Sequence, residues 1–286
     1  MLDFIVASLA DGLLLGLVYG IAAMGLSLIW GVMSVINLSH GALMALGMFG
    51  IYLAFNGPGL NPYLALVLVA AAGLLLGILI YVVAVHRVLN APHLSTLLAT
   101  FAVNMIIIGL GTAAFTTSPR NVDFSLGSLS LGPITLSWTR VTAALAAILV
   151  SALLYLFLYR TRPGKSIRAV ANNRAAAELM GIPSSRVLAL SFGLGAMLAA
   201  IAGGLISTFF PFTILAGGTY QLRSFVICVL GGLGNPLGAL IGGLLLGALE
   251  SIIPAFMETS WVPVLEFVLF VIILLVRPAG LLGSKT

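Results

Sequence analysis

The sequence predicts an all-α polytopic membrane protein with about eight to nine membrane-crossing helices, one of them broken. Three observations carry this. Of 286 residues, 61% are hydrophobic and 7% are charged, against about 25% charged in an ordinary soluble domain. Twelve Lys and Arg with seven Asp and Glu cannot cover the surface of a soluble chain of this size. The apolar residues gather in runs of roughly 20, the length that crosses a bilayer core about 30 Å thick. These runs are apolar all round, unlike the alternating ~10-residue strands of a membrane barrel. A soluble enzyme, a disordered chain and a disulfide scaffold are excluded. The single cysteine, Cys228, cannot form an intrachain bridge.

The first run spans 5–30. Asp3 and Asp11 are the only charges in the first twenty residues, so this is expected to be a retained span and not a cleavable signal. Gly12, Gly16 and Gly20 recur every four residues, which builds one face for close helix approach. An interruption at 31–38 leads into the second run, 36–55. Asn37, Ser39 and His40 stand there, with Asn37 placed to cap the helix. Runs at 62–85 and 94–115 follow, then a polar segment, 116–139, with Arg120 and Asp123. The run 140–159 ends at the most basic stretch. Arg160, Arg162, Lys165, Arg168, Arg174 and Arg186 face a single acid there, Glu178. After 188–209, the stretch 222–252 is too long for one simple span. Gly231, Gly232, Gly234, Asn235 and Pro236 divide it into a short helix at 222–230 and a fuller one at 236–252. Gly234, Gly238 and Gly242 again recur every four residues. The last run is 261–276.

Basic residues mark the cytoplasmic side. With 160–186 inside, 86–93 and the tail also fall inside, and 56–61, 116–139, 253–260 and the N-terminus fall outside. The tail comes out inside only if 222–252 crosses twice, which supports its division. The two glycine faces and the interruptions at 31–38 and 231–236 are compatible with an internal repeat of the kind transporters use.

The chemistry-bearing residues exclude most activities. Gly164-Lys165-Ser166 resembles the end of a phosphate-binding loop, but Tyr159 fills the first glycine position and a membrane helix precedes it. His40, His86 and His93 have no ligand-spaced partners, so no metal is expected. No nucleophile–base set or carboxylate pair reads as catalytic. The chain is expected to be no enzyme and to need no cofactor. Its basic pI of 9.7 comes from few charges, which points to lipid headgroups and not to nucleic acid. Arg223, Glu250 and Glu266 lie in or near spans, with Arg223 and Glu266 expected to snorkel at the outer interface. Asn37, Ser39, His40, Arg223 and Asn235 are the candidates for lining a path.

Residues 169–180 are good helix formers, stopped by Gly181 and Pro183. Ala171, Ala175, Leu179 and Ile182 are expected on one face, with Asn173, Arg174 and Glu178 on another. Such a helix suits a partner's groove and equally suits anionic headgroups.

The stretch Gly164–Ile182 resembles the cytoplasmic coupling loop of bacterial branched-chain amino acid ABC importer permeases. Ser27–Gly31 through Ile36–Gly41, Val229–Gly243 with Leu246–Glu250, and Arg277–Gly283 resemble the same family in the same order. The family usually has Phe-Ala where Leu38-Ser39 stand, and often Lys at the position of Arg223. The resemblance, to the shorter permease of the family's usual pair, implies a single transmembrane permease domain over 1–286 with a coupling loop at 160–187. It implies a second related permease, two cytoplasmic ATPase subunits and an external solute-binding protein. It places Arg168, Ala171, Asn172, Arg174, Ala175, Glu178, Leu179 and Gly181 on the ATPase-coupling helix. The implied location is the inner membrane, and the implied solutes are branched-chain or other hydrophobic amino acids. Similar permeases for urea, amides or aromatic acids are the near alternative. A secondary transporter or channel is the distant one, and it would require acids or a filter near the midplane.

Overall fold

The computed structural model describes residues 2–131, 134–277 and 279–283. The chain begins with α1 (Leu2–Met33), α2 (His40–Asn56), α3 (Pro62–Ile80) and α4 (His93–Phe115). A two-stranded antiparallel hairpin follows, β1 (Ser128–Leu131) with β2 (Ile134–Ser137). Then come α5 (Trp138–Arg160), the short α6 (Arg162–Asn172) and α7 (Arg174–Leu179), and α8 (Ser184–Ile206). The chain closes with α9 (Gly217–Gly231), α10 (Pro236–Ile252) and α11 (Val262–Val276). Among the described residues, eight helical segments are long and apolar enough to cross a membrane, and α2 is a shorter apolar helix. This is an all-α polytopic membrane protein.

The helices are graded by burial. α1 and α8 are largely enclosed, whereas α4 and α11 lie at the periphery and present leucines, isoleucines and valines outward. Lipid is as apolar as leucine, so helices here associate through close packing and not through exclusion of water. α1 supplies that closeness. A Cβ on Gly16 would stand 2.6 Å from the Gly243 carbonyl oxygen, and one on Gly243 would stand 2.6 Å from the Gly20 Cα. Gly12 meets Gly247 in the same way one turn along. On its other side α1 approaches α8, where a Cβ on Gly25 would lie 2.6 Å from the Gly195 carbonyl. α1 is therefore held backbone to backbone between α10 and α8.

Two ends of the bundle are distinct. The basic end carries α6 and α7. The hairpin end carries β1 and β2, where Arg120 and Phe212 exchange backbone hydrogen bonds of 2.8 and 2.9 Å.

Several boundaries differ from the sequence expectation. α1 continues to Met33, and the second helix starts at His40, so 34–39 is non-helical although it is apolar enough to read as span. The expected short helix at 222–230 starts earlier, at Gly217, and follows a single 3-10 turn, Ile214–Ala216. The segment 116–139 contains the hairpin. The expected helix over 169–180 is two helices, because Asn173 is extended and its side chain caps α7 by accepting from Ala176 N–H at 3.0 Å. Pro163 in the first turn, with Thr161 capping Gly164 N–H at 3.1 Å, starts α6 well upstream.

The α1–α10 seam yields a test. Gly16→Ala should lower the thermal midpoint in detergent, as overpacking costs about 1–3 kcal/mol. Gly109→Ala, where no atom lies within 4 Å, should leave it unchanged or raise it. Equal tolerance of both would show that the backbones do not touch.

Candidate functional site

The interruption after α1 is a re-entrant turn. His40 Nε2–H donates to the Ala22 carbonyl at 2.9 Å. Ala22 lies eleven residues, about 16 Å, before the end of α1, so the chain turns back alongside that helix before α2 begins. Its exposed peptide groups require partners at that depth. Thr100 of α4 provides one side: its hydroxyl accepts from Leu38 N–H and lies within donating distance of the Ile36 carbonyl, both at 3.2 Å. Gln221 of α9 provides the other: its Oε1 accepts from Gly41 N–H at 2.6 Å and its Nε2 donates to the Asn37 carbonyl at 3.2 Å. Asn37, Ser39 and His40 are fully buried. Asn37 does not cap α2. Its Oδ1 folds back to accept from Ser39 N–H at 3.0 Å and from the Ser39 hydroxyl at 2.6 Å. Asn37 Nδ2, His40 Nδ1 and Ser27 Oγ lack partners among the described residues.

The second interruption lies at the basic end, between α9 and α10. Gly232 and Gly234 have φ of +107° and +82°, which glycine alone adopts without strain. Asn235 caps α10 by accepting from Gly238 N–H at 3.1 Å, and its Nδ2 donates to the Leu282 carbonyl at 3.0 Å. Leu281 N–H and Leu282 N–H donate to the Leu230 and Gly231 carbonyls at 2.9 and 3.2 Å. The tail thus completes the end of α9.

Beside this turn is a cleft of about 460 Å³. Gly31, Gly234, Asn235 and Leu282 form one wall, and Tyr155, Tyr159, Arg168, Ala171 and Asn172 form the other. The Arg168 guanidinium lies 4.3 Å from the Tyr159 ring centroid, and its Nε donates to the Leu158 carbonyl at 3.1 Å. Gly164 packs on the Leu158 backbone inside α6, an arrangement unlike a phosphate loop. α7 projects beyond the cleft. Ala171, Arg174, Ala175 and Glu178 are exposed, and Leu179 and Met180 are 88% and 83% exposed. Gly181, at φ +81°, reverses the chain behind them. The Ser184 hydroxyl and the Arg174 guanidinium, 3.0 Å away, hold the Glu178 carboxyl below the usual carboxylate range.

Arg223 and Glu266 do not snorkel. Arg223 pairs with Glu250 at 2.8 Å and Glu266 at 3.9 Å, and donates to the Tyr19 hydroxyl at 2.6 Å. The five path candidates therefore occupy three places: the re-entrant turn (Asn37, Ser39, His40), the cleft (Asn235) and this cluster (Arg223). The structure adds Thr100, Gln221 and Tyr19, polar side chains whose partners in the turn and the cluster are brought to them by tertiary contact.

A family model described as branched-chain amino acid transport system / permease component matches residues 8–275. The chain belongs to this family. The LivH high-affinity branched-chain amino acid transport system permease of Escherichia coli (strain K12) is 32% identical over 295 residues, covering 96% of this chain and 94% of the relative. LivH of Salmonella typhimurium is 30% identical over 293 residues, with the same coverage. The BraD permease of Pseudomonas aeruginosa is 29% identical over 296 residues, again with 96% and 94% covered. The matched span takes in both interruptions, α6, α7 and the Arg223 cluster. As a member of this family, the chain is a transport permease component.

The re-entrant turn of this permease makes a prediction. Thr100→Val leaves Leu38 N–H without a partner, which should cost about 1–3 kcal/mol and lower the thermal midpoint. Ser118→Ala, in an exposed segment, should change stability by less than about 0.5 kcal/mol. An unaltered midpoint for Thr100→Val would show that the turn is held otherwise.

Proposed function

We propose that this chain forms half of the translocation path of an ABC importer for branched-chain or other hydrophobic amino acids. In this reading 1–286 is one permease domain with a coupling loop at 160–187. A second related permease completes the path, two separate ATPase subunits supply the energy, and an external solute-binding protein delivers the solute. The observation that carries the reading is α7. Of the two short helices between two spans, α6 packs on the bundle and α7 stands out from it, on the end that holds half of the basic residues. α7 ends in bare Leu179 and Met180. An exposed apolar tip flanked by the Arg174–Glu178 pair suits a protein groove better than water.

The roles then follow. Leu179 enters the groove. Ala175 permits close approach, and Arg174 and Glu178 meet the rim, while Gly181 sets the turn behind them. Arg168, Ala171 and Asn172 of α6 carry the motion through the cleft to Gly234 and Asn235, where α9 and α10 can rock together. Asn37, Ser39 and His40 meet the solute when α1 and α2 part, and Asn235 meets it at the inner mouth. Positive residues assign the basic end to the cytoplasm, with the N-terminus outside and the C-terminus inside.

Two measurements test this. In a Cys228→Ser background, an impermeant reagent should label a cysteine at Ser128 in intact cells and spare one at Ser185. The reverse pattern inverts the orientation. Leu179→Asp and Ala175→Trp should leave insertion and pairing intact. Each should reduce solute-stimulated ATP hydrolysis and uptake in the reconstituted transporter about tenfold or more, an estimate set by losing one anchoring contact of about 1.4 kcal/mol. Normal uptake by both variants would remove α7 from the coupling surface.

A further inference from the structure

The cluster between α1, α9, α10 and α11 carries an uneven charge. Two donors of a guanidinium, Nε and Nη2, share one edge and ordinarily serve both oxygens of a single carboxylate. Here that edge is divided. Nη2 faces Glu250 Oε1 at 2.8 Å, and Nε faces Glu266 Oε2 at 3.9 Å. Nη1 donates to the Tyr19 hydroxyl at 2.6 Å. The Tyr19 and Tyr220 rings flank the guanidinium at 5.4 and 6.0 Å. The groups facing the site are thus Tyr19 from α1, Tyr220 and Arg223 from α9, Glu250 from α10 and Glu266 from α11.

Two carboxylates against one guanidinium leave one negative charge in excess. It lies inside apolar spans, where an uncompensated charge is costly. Glu266 is only 4% exposed, and Glu266 Oε1 and Glu250 Oε2 are buried with no hydrogen-bond partner among the described residues. We propose that this cluster is a binding site for one further positive charge, a proton or a small monovalent cation, taken by the orphan oxygens of Glu250 and Glu266. A single charge restores neutrality, whereas a divalent ion would overshoot it. Carboxylate and phenol oxygens are hard donors suited to either source. Binding ties α11, otherwise mostly turned to lipid, onto α9 and α10 through Glu266. This site does not depend on the transport reading.

Thermal unfolding of the full chain in lipid nanodiscs tests it, at fixed ionic strength, from mildly acidic to mildly alkaline buffer. In choline chloride the wild-type midpoint should fall by about 3–6 °C as pH rises, the size of a tenfold binding-linked change in a chain of this length. The sign follows because the folded state keeps the bound proton and loses that advantage as pH rises. Recovery of the midpoint in sodium or potassium chloride identifies a metal cation as an occupant, and no recovery identifies the proton. Glu266→Gln removes the excess charge and should flatten both responses. If that variant does not fold, Glu250→Gln makes the same charge correction and serves in its place. A wild-type midpoint that responds to neither pH nor cation overturns the proposal, as does a folded variant that responds in parallel with wild type.

Discussion

Inside a bilayer a peptide N–H or carbonyl has no water to turn to, so each departure from helix must bring its own partners. That constraint shapes the re-entrant interruption of this chain, and the α9–α10 turn at the basic end is closed by built-in partners in the same way. The re-entrant segment 34–39 is held by Thr100 on one side and Gln221 on the other. The α9–α10 turn uses two glycines, an asparagine cap and the tail. Irregular backbone is costly in lipid, so these two places, each with its partners built in, are where the fold departs from simple crossing. Asn37, Ser39 and His40 stand at the first of them and Asn235 at the second.

The same solvent removes the usual reason for helices to associate. Lipid gains nothing by pushing apolar faces together, and attraction must come from contact at short range. The glycines of α1 provide it on two sides, against α10 and α8. Since α1 leads directly into the re-entrant segment, its tight seating fixes where Asn37 and His40 stand. The Arg223 cluster adds a directional tie among α1, α9, α10 and α11.

Much of the architecture was legible in the residues because composition and run length report directly on the solvent. The glycine spacings at 12–20 and 234–242 report on close approach, and Gly231–Pro236 report on a turn. The rest depended on distance along the chain. Thr100 lies 62 residues from Leu38, and Gln221 lies 180 residues from Gly41, so no local pattern links them. Arg223 and Glu266 read as interface residues because each was seen on its own span, and only tertiary contact makes them partners. The division of α6 from α7 had a local sign, Asn173 ahead of Arg-Ala-Ala-Ala, which the strong helix propensity of the whole stretch concealed.

The tail's place against α9 bears on the order in which the protein can be made. The carbonyls of Leu230 and Gly231 take their donors from Leu281 and Leu282, about fifty residues later. At roughly 5–20 residues per second of synthesis, that interval lasts several seconds. Through it the α9–α10 turn is inserted but unfinished, with two carbonyls turned toward the membrane boundary. The turn's place at the basic end of the bundle keeps those groups away from the apolar middle of the spans while they wait. The topology of the last three spans thus suits a nascent chain as well as a finished one.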